Sequence, residues 1–124
     1  MATILSCTAA VLVAAWGVAH VVPTRRVIAG FEPISADNRR VLLQEWLAEA
    51  FTMWGVAAIV VLTVAVAGTG AAATHWVCRA TAGLLVALAV LTALTGARTT
   101  VVWFKVCPVL LGASAVLLVL ASFV

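Results

Sequence analysis

Charge is scarce in this chain of 124 residues, with only 9% Asp, Glu, Lys and Arg, where an ordinary soluble domain carries roughly 25%. Because 66% of the residues are apolar and the mean hydropathy is +1.27, too few polar side chains exist to coat a water-facing globule. A soluble enzyme and a disordered chain are both excluded. Length is limiting too. Each helix that crosses a bilayer needs about 20 apolar residues, so the chain has room for four spans and one sizeable connection, and no extramembrane domain is expected. Tyrosine is absent, and the three cysteines include no CxxC pair, which gives thiol oxidoreductase chemistry little support. His75 and Cys78 form an HxxC pattern, but that part of the chain lacks the further ligands a metal site needs. His20 and His75 fall at opposite faces and so cannot pair on a haem. Neither a glycine-rich phosphate loop nor a Ser/His/Asp constellation is present, and no metal or other cofactor is expected.

What is present is a set of apolar runs at about 4–22, 43–67, 75–95 and 106–124. They predict an all-α, integral membrane four-helix bundle forming a single four-span domain over 1–124. Pro23 closes the first run, because proline loses a backbone bond and clashes with the preceding turn. Gly68-Thr69-Gly70 closes the second and Gly96 the third. Pro108 is expected in the first turn of the fourth, where a missing N–H costs least. Arg25 and Arg26 follow the first run and no basic residue precedes it, which reads as an uncleaved span rather than a signal peptide. Cytoplasmic loops are enriched in Lys and Arg. Of the seven basic residues, Arg25, Arg26, Arg39, Arg40, Arg98 and Lys105 share one side and Arg79 stands alone on the other, so both termini are expected outside. Cys7 and Cys78 then lie near the oxidising face, where a disulfide is open to them. Gly83 with Ala87, and Gly112 with Ala115, offer places for close helix approach. Four short helices bury modest surface, which leaves a homodimer open.

The remaining charge is unevenly placed. Arg25, Arg26, Glu32, Asp37, Arg39, Arg40, Glu45 and Glu49 all fall within 25–49, the connection between the first two spans and the start of the second. Ser35 and Asp37 are helix-capping candidates, and no Gly or Pro interrupts the chain from Asp37 to Gly55. A helix from Asp37 to Ala67 is expected, about 46 Å long at 1.5 Å per residue, which exceeds the roughly 30 Å hydrocarbon core. At 100° per residue, Asn38, Glu45, Glu49 and Thr52 form one stripe, flanked by Leu42, Trp46, Phe51 and Met53. Two carboxylates on one stripe repel each other, and burial near the membrane disfavours their charged form further. They serve either as acid/base groups or as a structural ion cluster with the cations of the rim. His20 projects from the face of Trp16 and is expected to reach the level of Glu45 and Glu49, either to relay protons or to hold a lipid headgroup or a carbonyl. Trp46, Trp76 and Trp103 suit an interfacial belt. Trp16 and Trp54 lie deeper, as core or pocket wall.

The run Gly30-Phe31-Glu32-Pro33-Ile34-Ser35-Ala36-Asp37-Asn38-Arg39-Arg40, with Glu45-Trp46-Leu47-Ala48-Glu49 and Phe104-Lys105-Val106-Cys107-Pro108, resembles a family of small four-span bacterial membrane proteins. That resemblance covers nearly the whole chain and implies the architecture without an activity. In layout, a His and acidic residues facing an intramembrane pocket are similar to the sterol-isomerase and sigma-2 receptor group, with no shared motif. Small multidrug transporters share the length but carry their acidic residue in the first span, which has none here.

The polar residues expected to converge at one level are His20, Asp37, Asn38, Glu45, Glu49, Arg98 and Lys105. Together they suggest a pocket near the cytoplasmic face for a lipophilic isoprenoid, steroid or polyketide-like substrate. Glu49, Glu45, His20 and Asp37 are the candidate catalytic groups. Trp16, Asn38, Trp46, Met53, Trp54, Arg98 and Lys105 are the candidate substrate contacts. An acid beside electron-rich rings suits isomerisation or cyclisation through a carbocation. Two other classes stand beside this one: a non-enzymatic accessory subunit or lipid-binding scaffold of the membrane, and a proton-coupled small transporter. Nothing points to a nucleic-acid partner.

Overall fold

Ser35 starts the longest helix of the structure, a computed structural model that describes residues 1–31 and 33–124; Glu32 lies outside the described residues. The Ser35 backbone is extended, and its hydroxyl accepts from the Asn38 amide at 3.1 Å, satisfying one of the amides orphaned at a helix start. Before it come α1 (Ala2–Val21) and the six-residue α2 (Thr24–Ala29), and α3 spans Ala36–Ala67. Pro23 separates the first two, and the Thr24 hydroxyl closes α1 by donating to the Val21 carbonyl at 2.5 Å. The short α2, which carries Arg25 and Arg26, was not anticipated from the sequence.

Gly68 ends α3 at φ +76°, a left-handed backbone that side chains with a Cβ avoid. Thr74 then donates to the Gly68 carbonyl at 2.6 Å, and His75 Nε2 donates to the Thr69 carbonyl at 2.9 Å. These bonds pin the turn into α4 (Ala72–Leu94) and account for His75 structurally. A 3-10 turn at Gly96–Arg98 leads to α5 (Val102–Ala121). Pro108 lies inside α5 rather than in its first turn, because helical backbone already runs through Val102 to Cys107. One amide bond, to the Phe104 carbonyl, is forfeited there.

Around the bundle the order is α1, α3, α4, α5, each packed on its neighbours. Neighbours run antiparallel: His20 meets Trp46 and Ala14 meets Trp54 between α1 and α3, while Arg79 meets Ser122 between α4 and α5. Both termini and the turn at 68–71 therefore share one end, and the connections at 22–35 and 95–101 share the other. The core is filled by Val13, Met53, Val60, Leu85, Leu111 and Leu118, all essentially without exposure. Outward faces are apolar as well: Val11, Leu62, Val90 and Val109, one from each long helix, are more than half exposed. Helices apolar on every side belong in lipid, and these four are long and apolar enough to cross it. At about 48 Å for 32 residues, α3 outreaches the roughly 30 Å core.

Close approach occurs where glycine faces a neighbour. At Gly17 an added Cβ would stand 2.6 Å from Trp54 Nε1 and 3.3 Å from Met53 Cβ, whereas at Gly83 and Gly112 it would meet nothing within 4 Å. The close packing expected at those two glycines is thus not made within the chain. All three cysteines are free, so Cys7 and Cys78 are not bridged.

Candidate functional site

At the end of the bundle that holds the 22–35 and 95–101 connections, the four long helices part around a half-open cavity of about 1160 Å³. The last turns of α1 contribute Trp16, Ala19 and His20. Trp46 and Glu49 come from α3, Thr92 and Thr95 from the end of α4, and Trp103, Phe104 and Cys107 from α5; α2 and its flanks close the remaining side with Pro23, Arg26, Val27 and Phe31.

His20 and Trp46 form the best-defined contact in the wall. Their rings stack at 3.9 Å and 18°. Trp46 Nε1 donates to the His20 carbonyl at 3.0 Å, and His20 Nε2 lies 3.1 Å from the Trp46 carbonyl. A carbonyl only accepts, so Nε2 carries the hydrogen and the imidazole tautomer is fixed. These reciprocal bonds tie the last turn of α1 to α3. Phe104 meets the Trp46 ring edge-on at 6.0 Å, and Trp16 Nε1 donates to Cys107 Sγ at 3.1 Å. Aromatic side chains from α1, α3 and α5 therefore border one largely apolar space.

Glu49 lies three residues beyond Trp46 on the same helical face. Its Oε2 is 3.6 Å from His20 Nε2, too far for a hydrogen bond, with the side chains 26% and 8% exposed respectively. Its Oε1 is buried and has no hydrogen-bond partner among the described residues. An acceptor left in that state costs about 1–3 kcal/mol, and more if charged. The arrangement sets a carboxyl in an aromatic-lined wall, with Oε1 shut off from the cavity space and Oε2 beside His20.

Four of the residues singled out from the sequence line this cavity: Trp16, His20, Trp46 and Glu49. The others do not join them. Glu45, Asp37, Asn38, Arg98 and Lys105 are exposed and outside the cavity wall, and Asp37 pairs with Arg40 at 3.0 Å. For the three on α3 the reason is geometric: α1 stops at Val21, level with Trp46, so Asp37, Asn38 and Glu45 lie beyond its end, while Arg98 belongs to the 3-10 turn and Lys105 to the first turns of α5. Met53 is wholly buried in the core below the cavity. Trp54 faces a shallow groove with Ala10, Val11 and Ala14, and its Nε1 donates to the Ala14 carbonyl at 3.1 Å. The expected convergence at one level is therefore confined to His20 and Glu49.

Trp103, expected in an interfacial belt, and Arg26, Phe104 and Cys107 are cavity residues outside the substrate contacts expected from the sequence. Trp103 and Phe104 stand four and three residues before Cys107, the spacing that puts helical side chains on one face, and that signal was available. Among the described residues no group of three or more His, Cys, Asp or Glu is placed to hold a metal ion. Compared with known protein families, curated proteins and solved structures, the chain matches none.

Proposed function

We propose that the chain is a multi-pass protein of the cell membrane that binds a lipophilic molecule in this cavity and moves a proton on it with Glu49. Both termini are assigned to the outside, because Arg25, Arg26, Arg39, Arg40, Arg98 and Lys105 all belong to the cavity end. The observation that carries the proposal is the Glu49 carboxyl in the wall of a largely apolar, aromatic cavity, with no hydrogen-bond partner for its Oε1 among the described residues. Protonated Glu49 gives its proton to one carbon of an alkene, and the opposite carbon becomes cationic in the cavity that Trp16 and Trp46 border. Loss of a proton from a neighbouring carbon back to the carboxylate completes an isomerisation; attack by a second alkene before that loss gives a ring. His20, hydrogen-bonded through Nε2, keeps its place beside the carboxyl throughout.

The test is solvent deuterium. Squalene, geranylgeraniol and lathosterol are incubated with the purified protein in D2O and analysed by mass spectrometry. Deuterium is expected in at least one probe with the native chain and in none with Glu49→Gln; equal incorporation by both would remove Glu49 from the chemistry. The reciprocal His20–Trp46 bonds favour a second reading, a lipid-binding scaffold whose polar cluster only fixes helix ends. On that reading the probes quench tryptophan fluorescence equally in both proteins, and neither protein incorporates deuterium.

A further inference from the structure

We propose that the rim of the cavity on the side of α2 and α5 is a docking surface for anionic phospholipid, with Arg26 meeting the lipid phosphate. This surface is independent of whatever occupies the cavity itself. At this end of the bundle Arg25, Arg26, Arg98 and Lys105 are exposed and make no ion pair among the described residues. They come from three elements that border one opening. Arg26 lines it from α2, with Arg25 next in the chain. Arg98 lies between Gly96 and Thr99, and Lys105 follows Phe104, and all three of those neighbours line the opening too. Among the described residues the carboxylates of this end are placed elsewhere. Asp37 and Glu45 stand on α3 outside the wall, Asp37 is paired with Arg40, and Glu49 lies beside His20. Basic side chains left uncompensated at a membrane surface draw anionic headgroups to it. α5 also begins here without a side-chain cap and with no acidic residue in its first turn, so the helix dipole adds to the positive potential of the cations.

The same rim is apolar where it is not charged. Phe31, Trp103 and Val22 border the opening and are 54%, 70% and 79% exposed. A free phosphate ion would use the cations and leave these side chains bare, whereas a phospholipid sets its phosphate on the cations and its glycerol and upper acyl carbons on the rings. Aromatic side chains at headgroup level are suited to that depth. Arg40, by contrast, is held by Asp37 at 3.0 Å on α3, so its charge is already matched.

The experiment takes the full chain in dodecyl maltoside micelles with equimolar phosphatidylglycerol and phosphatidylcholine of identical acyl chains. Native mass spectrometry then counts the protein carrying one molecule of either lipid. Complexes with phosphatidylglycerol are expected to outnumber those with phosphatidylcholine at least about fivefold, the enrichment that one basic residue supplies at an anionic surface. Arg26→Gln should remove most of that preference. Arg40→Gln, which deletes the same charge from a residue already paired, should keep it. Circular dichroism of both variants establishes that they are folded. Equal counts of the two lipids on the native chain, or a preference that survives Arg26→Gln, would overturn the inference. Equal loss in both variants would assign the preference to the net charge of the chain and overturn it as well.

Discussion

Replacing Gly17 with Ala is expected to loosen α1 from α3, although alanine is the better helix former. The added methyl would stand 2.6 Å from Nε1 and 2.9 Å from Cδ1 of Trp54, and 3.3 Å from Met53 Cβ. The indole must move, and in doing so it gives up its bond to the Ala14 carbonyl. Met53 Cβ is tied to the backbone, so it yields only if the helices separate. Overpacking of this kind costs about 1–3 kcal/mol and the lost bond about 0.5–1.5. The helix preference of Ala over Gly returns about 1 kcal/mol. The net expectation is a loss of about 2 kcal/mol, within a range of roughly 0.5–3.5. Equilibrium unfolding in mixed micelles of increasing SDS fraction measures it, with Gly83→Ala and Gly112→Ala as references. At those two positions a Cβ meets no atom within 4 Å, so they should be neutral or slightly stabilising. Adding Trp54→Leu to Gly17→Ala should recover part of the loss, because the closest atoms belong to the indole. Stability of Gly17→Ala equal to that of Gly83→Ala, or additive behaviour of the double variant, would refute the reasoning.

Two further outcomes follow from the polar contacts. Trp46→Phe keeps a ring for His20 to stack on but removes the Nε1 donor that satisfies the His20 carbonyl. It should cost about 0.5–1.5 kcal/mol in the same unfolding measurement and accelerate hydrogen exchange in the last turn of α1, whereas unchanged exchange there would show that the clasp is not what holds that turn. Ser35→Ala removes the acceptor for the Asn38 amide and should cost about 0.5–2 kcal/mol, seen as faster exchange confined to the first turn of α3; Ser35→Asp should restore it.

How much of this was legible beforehand differs between the helices and the site, for a physical reason. Helix ends are local. Pro23, Ser35 and Gly68 act on the backbone within a turn of themselves, so the ends of α1 and α3 were readable from single residues. The start of α5 precedes the proline that marks it in the sequence, because the six helical residues before Pro108 carry no breaker. Depth along a helix and angle around it are also readable, and they put Glu45 and Glu49 on one stripe. They do not say how far the neighbouring helix extends. Since α1 ends opposite Trp46, Glu49 faces α1, whereas Glu45, Asp37 and Asn38 lie beyond its end and are exposed. The candidate site was therefore legible as a stripe and a level. Its limit was set by the length of a different helix, a property shared between elements that no periodicity within one of them encodes. The same holds for Gly17: nothing in its own sequence neighbourhood sets it apart from Gly83, and only the indole that faces it makes one glycine indispensable and the other free.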